Sequence, residues 1–154
     1  MIFHYTKAVH MPFIMAQGLK QSASLLARGE KPVLWFTTNG TWENTVFPTD
    51  APSLPEAHSK MLPWGGLVRI GCDDSVAPHR WKELREIATI PPVLAGGLYR
   101  NAIEVGSRPG EWRGTLDSLP AEQFRLIQRF DGTDWVDAPD LWNAANTRWE
   151  GKAA

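Results

Sequence analysis

"VLWFTT", residues 33–38, sets four apolar side chains in a row ahead of two threonines, a composition that favours a pleated backbone. Apolar groups fall on both faces, so the segment predicts a strand covered on both sides, in the middle of a sheet. The polar turn "RGEKP", 28–32, leads into it. "NGTWENTVFP" follows with turn residues, and Asn39 or Thr41 is placed to cap a short helical turn carrying Trp42 and Glu43.

Working outward, "IFHYT", 2–6, reads as a short strand because Ile2, Phe3, Tyr5 and Thr6 all suit one. "GLVRIGCD", 66–73, is another. Alternation puts Leu67, Arg69 and Gly71 on one face and Val68, Ile70 and Cys72 on the other, so Arg69 projects opposite the apolar stripe. The region from Ala95 onward reads as short strands joined by glycine-rich turns, ending with "FRLIQRF" and the residues after the Asp131-Gly132 turn. Two helices are expected. One spans about 9–17, with Val9, Phe13 and Ile14 on one face, Pro12 in the first turn and Gly18 as its stop. The other lies within 77–90, where Trp81, Leu84, Ile87 and Ala88 recur at helical spacing before Pro91-Pro92.

Residues 19–28 carry no clear signal. Pro48–Pro63 holds four prolines and predicts a surface loop able to act as a lid. The tail from Asp140 predicts a terminal helix or turn that packs Trp142 and frays after Trp149. Strands gathered around short helices, without strand–helix–strand alternation, indicate an α+β fold in a single domain over 1–154.

At 154 residues the chain can bury roughly 70% of its unfolded surface. Sixteen basic against seventeen acidic residues give a net charge of −1, so no global field draws it to nucleic acid or anionic membrane. The lone Cys72 excludes an intramolecular disulfide and any multi-cysteine zinc site, and suits a reducing compartment. No window approaches the ~20 apolar residues of a membrane span, and a soluble, cytoplasmic protein with no membrane partner is expected. Phosphate-loop, dinucleotide-fingerprint, nucleophile-elbow and zinc-helix motifs do not occur, and His4, His10, His58 and His79 lack metal-ligand spacing. Eight tryptophans against two tyrosines supply large apolar area with one donor each, suited to cores, ligand walls and interfaces alike.

The order "HYT" (4–6), a helix ending in Gly18-Leu19, then "WFTT" (35–38) resembles the start of the ADP-ribosyltransferase superfamily. It is most similar there to the branch holding the DNA-modifying ADP-ribosyltransferase toxins and the RNA 2′-phosphotransferases. The resemblance implies two small, mainly antiparallel sheets around a cleft with short flanking helices. It implies NAD as substrate, with transfer of ADP-ribose to a protein or nucleic acid, or hydrolysis of NAD. His4 would donate to a ribose hydroxyl while the backbone beside it, at Tyr5, grips the nicotinamide amide, with Thr6 or Thr37 assisting. Trp35 or Phe36 would cover the nicotinamide ring, Thr37 or Thr38 would supply the family's small hydroxyl, and Arg69 would meet the pyrophosphate. Asn39, Trp42 and Glu43 would form one wall of the cleft.

The family's late glutamate, which stabilises oxocarbenium-like charge, is matched through "GEWRGTLDSLPAEQF" to Glu111 or Trp112, with Glu104 and Glu122 as rivals. His4 and Glu111 are thus the catalytic candidates. With Trp112 at that position the pocket would bind a nucleotide without turning it over. The competing class is a non-catalytic accessory factor that presents a tryptophan-rich surface to a partner. Arg108, Arg113, Arg125 and Arg129 would then offer a local basic surface to a nucleic-acid strand.

Overall fold

The computed structural model describes residues 1–22, 29–46 and 53–146. Seven strands form one sheet: β1 (Ile2–Lys7), β2 (Leu34–Thr37), β3 (Leu67–Cys72), β4 (His79–Arg80), β5 (Trp112–Thr115), β6 (Phe124–Phe130) and β7 (Trp135–Asp137). Their order is β4-β5-β2-β1-β3-β6-β7, every neighbouring pair antiparallel. The α+β class and the central place of β2 agree with the sequence. The expected pair of sheets does not: backbone pairing at Phe3↔Thr37 ties β1 to β2 and makes the sheet continuous.

That tie is narrow. β1 pairs with β3 from Ile2↔Cys72 to Lys7↔Leu67, and β2 pairs with β5 from Leu34↔Thr115 to Thr37↔Trp112, whereas Phe3↔Thr37 is the one registered pair between β1 and β2. Two well-zipped half-sheets, β4-β5-β2 and β1-β3-β6-β7, therefore meet at a short seam.

The layers over the two faces treat the seam differently. On one face a continuous core crosses it, built from Ile2, Leu34, Phe36, Val68, Ile70 and Ile127 under α1 (Met11–Gln17) and the 3-10 run Pro139–Asn146. On the other face the apolar side chains form two separate clusters. Val33, Trp81, Leu84 and Trp112 lie over the β5-β2 half beneath α3 (Trp81–Ile87) and α4 (Pro92–Glu104); Tyr5, Trp42, Ala57, Leu67 and Phe130 lie over the β1-β3-β6 half beneath α2 (Leu54–Met61). Trp35, Trp81 and Trp112 stack edge-on and tilted with ring centroids 5.2–6.2 Å apart, contacts each worth about 0.5–1.5 kcal/mol beyond area burial.

Prolines account for most of the departures from the sequence reading. Within Pro48–Pro63, residues 48–52 lie outside the described set, but Ser53 caps α2 by accepting from the Glu56 N–H, and Pro55 sits in the first turn. From Leu54 to Met61 the segment expected as a loop is thus a helix. Pro92 likewise opens α4, where short strands were expected. Ala95 and Ala102 are buried on the tryptophan cluster with Leu94 and Leu98 packed beside them, a helical spacing. This burial outweighs the roughly 1 kcal/mol that Gly96 and Gly97 each cost a helix interior. The helix expected within 77–90 is shorter, since His79–Arg80 pair with β5 before it begins. Trp142 is exposed rather than packed, and Trp149 lies outside the described residues.

Candidate functional site

The seam between β1 and β2 collects most of the residues singled out from the sequence, and it divides them by face. Continuing the register from Phe3↔Thr37 would set Tyr5 opposite Trp35. Instead the Trp35 carbonyl accepts a hydrogen bond from the ring of His4, at 2.8 Å from Nδ1. A carbonyl oxygen only accepts, so Nδ1 carries the hydrogen and a neutral imidazole keeps Nε2 as an acceptor. Burial pushes the His4 pKa below the ordinary histidine value, partly opposed by this hydrogen bond. His4 therefore offers an acceptor, not the donor expected from the sequence. Its ring meets Phe36 edge-on at 5.7 Å, on the face covered by the continuous core, where Thr6 is also buried.

Tyr5, Trp35, Thr37 and Arg69 project to the divided face, joined there by Asn39 on the loop after β2. Tyr5 and Arg69 are register partners on neighbouring strands. The Tyr5 hydroxyl donates to the Asn39 carbonyl at 2.6 Å. Burial pushes the phenol pKa well above the ordinary tyrosine value; Arg69 opposes that shift and Glu43 adds to it. Arg69 is clamped between the rings of Phe3 and Trp135, with its guanidinium carbon 4.9 and 5.0 Å from the two centroids. Its Nε and Nη2 donate to Gln128 Oε1 at 2.8 and 2.6 Å, and Nη1 donates to the Gly40 carbonyl. Gln128 passes the network on to Asp137, and Trp135 donates to the Thr41 carbonyl.

The loop 38–46 that roofs this network is not the helical turn expected. The Asn39 side chain accepts from the N–H groups of Thr41 and Trp42, and Thr37 Oγ1 accepts from the Asn39 N–H, so side chains hold a tight irregular turn. Trp42 lies edge-on to Tyr5 at 5.0 Å. Glu43 is 5% exposed: one carboxylate oxygen accepts from the Thr45 N–H and hydroxyl, and the other, Oε2, is buried with no hydrogen-bond partner among the described residues. The nitrogen of Trp112, the β5 residue in register with Thr37, is likewise buried and unpartnered. Buried polar atoms are rarely left so.

Glu111 stands elsewhere. Its backbone carbonyl accepts from Thr38, one strand beyond β2, so β2 separates it from His4 and the two backbones lie roughly 10 Å apart by sheet spacing. Of the basic surface expected around "RPGEWRG" and "FRLIQRF", two arginines meet carboxylates, Arg125 with Asp73 and Arg129 with Asp140 at 2.6 Å, while Arg113 donates to the neutral Gly110 and Trp112 carbonyls and keeps its charge. Gln128 was missed, although its alternation with Phe130 in "FRLIQRF" already places it on the Arg69 side once β3 and β6 are known to pair. No helix among the described residues is long and apolar enough to cross a membrane.

No protein-family model, no curated protein and no solved structure matches the chain.

Proposed function

We propose that the protein has an ADP-ribosyltransferase-like fold and binds NAD at the β1–β2 seam, on the face where the two apolar clusters part, transferring ADP-ribose to a protein or nucleic acid or hydrolysing NAD. The observation that carries this reading is the early end of the β1–β2 ladder, with His4 bonded to the Trp35 carbonyl where Tyr5 would otherwise pair. An opened strand pair offers backbone donors and acceptors to an amide such as that of nicotinamide.

In this reading Tyr5 supplies the backbone grip and half-buried Trp35 lies against the nicotinamide ring, with Thr37 and Asn39 at the polar edge. Arg69 bonds Gln128, the Gly40 carbonyl and the Tyr5 hydroxyl within the protein, and its positive charge is what it offers a phosphate. His4 acts through Trp35, holding the fork open, and is a positioning residue. The carboxylate that stabilises the oxocarbenium-like charge is assigned to Glu43, because it is buried on the loop after β2 with one oxygen unpartnered among the described residues; Glu111 is the rival. Binding without turnover is the second reading, favoured because an indole, Trp112, stands in register with Thr37 on β5 where a carboxylate would act.

Titration with NAD, followed by tryptophan fluorescence, tests the binding. A saturable change in the wild type, lost in His4→Ala while the fold is retained, is expected. A wild type that does not respond to NAD overturns the proposal. Nicotinamide release that Glu43→Gln abolishes and Glu111→Gln preserves would identify the carboxylate, and binding with no release would select the second reading.

A further inference from the structure

Away from the seam, α3 and α4 border an open surface cavity of about 340 Å3 lined by Arg85, Pro92, Ala95, Gly96, Tyr99 and Arg100. Two cationic side chains border it and no acidic one does. Among the described residues neither guanidinium is paired with a carboxylate; Arg85 lies over the Trp81 ring at 5.9 Å, and Arg100 lies over Gly96, where an added Cβ would come within 3.3 Å of Nη1. This contrasts with Arg125 and Arg129, both spent on aspartates. An arginine held without a counter-ion is free to take an anionic oxygen, and a planar guanidinium suits phosphate in particular.

The surroundings add an aromatic and apolar track. Tyr99 is 48% exposed, and Val93 and Ile103 on the same helix are more exposed still. From Val93 to Ile103 the helix runs about 15 Å, room for two or three nucleotides of an extended strand. Gly97 adds no side chain to this surface, and a Cβ there would meet nothing within 4 Å. Two arginines without a carboxylate partner among the described residues, beside an exposed ring, are the parts with which a single nucleic-acid strand is held, phosphates on the guanidinium groups and a base on the ring.

We propose that the α3–α4 cavity is a binding site for a single nucleic-acid strand, with Arg85 and Arg100 on consecutive phosphates and Tyr99 stacked on a base. The exposed setting favours a strand passing across it over a free nucleotide, which would need enclosure. The proposal does not rest on the NAD reading, because the two sites share no residue and can be lost separately.

Fluorescence anisotropy of a labelled oligothymidylate, measured with the full chain at low salt, tests it. The wild type is expected to bind, with affinity falling steeply as salt rises. The double exchange Arg85→Gln with Arg100→Gln should weaken binding at least tenfold, and Tyr99→Ala should weaken it several-fold while Tyr99→Phe restores it. Arg125→Gln, distant and already paired, should leave binding unchanged. Binding that survives the double exchange, or is indifferent to Tyr99→Ala, overturns the proposal, the latter by reducing it to general attraction for polyanions. Equal competition by thymidine monophosphate overturns it in favour of a free-nucleotide site. Circular dichroism and the NAD response of each variant separate loss of this site from loss of fold.

Discussion

His4 Nδ1 lies 2.8 Å from the carbonyl oxygen of Trp35, the residue that a longer β1–β2 ladder would set opposite Tyr5. A side chain thus occupies an acceptor at the point where backbone pairing stops. Keeping that bond requires a hydrogen on Nδ1, and burial keeps the rest of the ring uncharged.

A pH dependence follows from the direction of the His4 shift. The folded pKa lies below the unfolded value of about 6.5, so the unfolded chain binds more protons between the two. Stability is fully present above about pH 6.5 and falls as pH drops toward the folded value, by up to about 1.4 kcal/mol per pH unit. His10 shifts in the same direction through burial and Lys7, so denaturant melts from about pH 7.5 to about pH 5 are compared for His4→Asn and His10→Asn. The larger flattening is expected in His4→Asn; a slope unchanged there would show that the imidazole is not held neutral.

Tyr5 should resist ionisation. Burial and Glu43 both disfavour the phenolate, and the hydroxyl is already donating to Asn39. Absorbance at the phenolate band, followed to about pH 11, should look the same in the wild type and in Tyr5→Phe while the fold persists. A smaller amplitude in the variant would mean that Tyr5 titrates in the native protein.

Arg69 is expected to tolerate lysine poorly. An ammonium keeps the charge but cannot reach Gln128 Oε1 and the Gly40 carbonyl together, nor lie flat between Phe3 and Trp135. Arg69→Lys should cost about 1–3 kcal/mol in urea unfolding with the m value unchanged. A loss below a few tenths would place the guanidinium's contacts among the weak surface kind.

Two glycines predict opposite signs. A Cβ at Gly114 would sit 2.9 Å from both Leu84 Cδ1 and Val33 Cγ1, in the packed layer between β5 and α3. Gly114→Ala should destabilise by about 1–3 kcal/mol. Gly97, inside α4 with open space around it, gains helix propensity without a clash, so Gly97→Ala should stabilise by up to about 1 kcal/mol. Melting temperatures moving in opposite directions check both.

Strands β1, β2, β3 and β6, and the faces of Arg69 and its neighbours, were legible because a period of two is a local property that burial of one face imposes. The errors clustered where one residue type serves two purposes. Pro55 and Pro92 start helices as readily as they break them, and Ser53 with Glu56 spells a capping box that the surrounding prolines obscured. Gly96-Gly97 reads as a turn until Ala95 and Ala102 are seen to bury on the tryptophan cluster. Of the candidate site, Tyr5, Trp35, Thr37, Asn39 and Arg69 share one face; His4, Thr6 and Phe36 lie on the other, a division that alternation predicts once β1 and β2 are paired.

The sequence by itself determined where the principal strands lie, which side of each is apolar, and that no cysteine framework is possible, since these depend on residues a few positions apart. Only the tertiary structure decided that the half-sheets join at Phe3↔Thr37, and that, among the described residues, Glu43 is buried with one oxygen unpartnered and Arg125 and Arg129 meet carboxylates while Arg85 and Arg100 do not. Each of those outcomes is a contact between segments distant in the chain, and a side chain's solvation and partners are fixed by what the fold brings against it rather than by its neighbours in sequence.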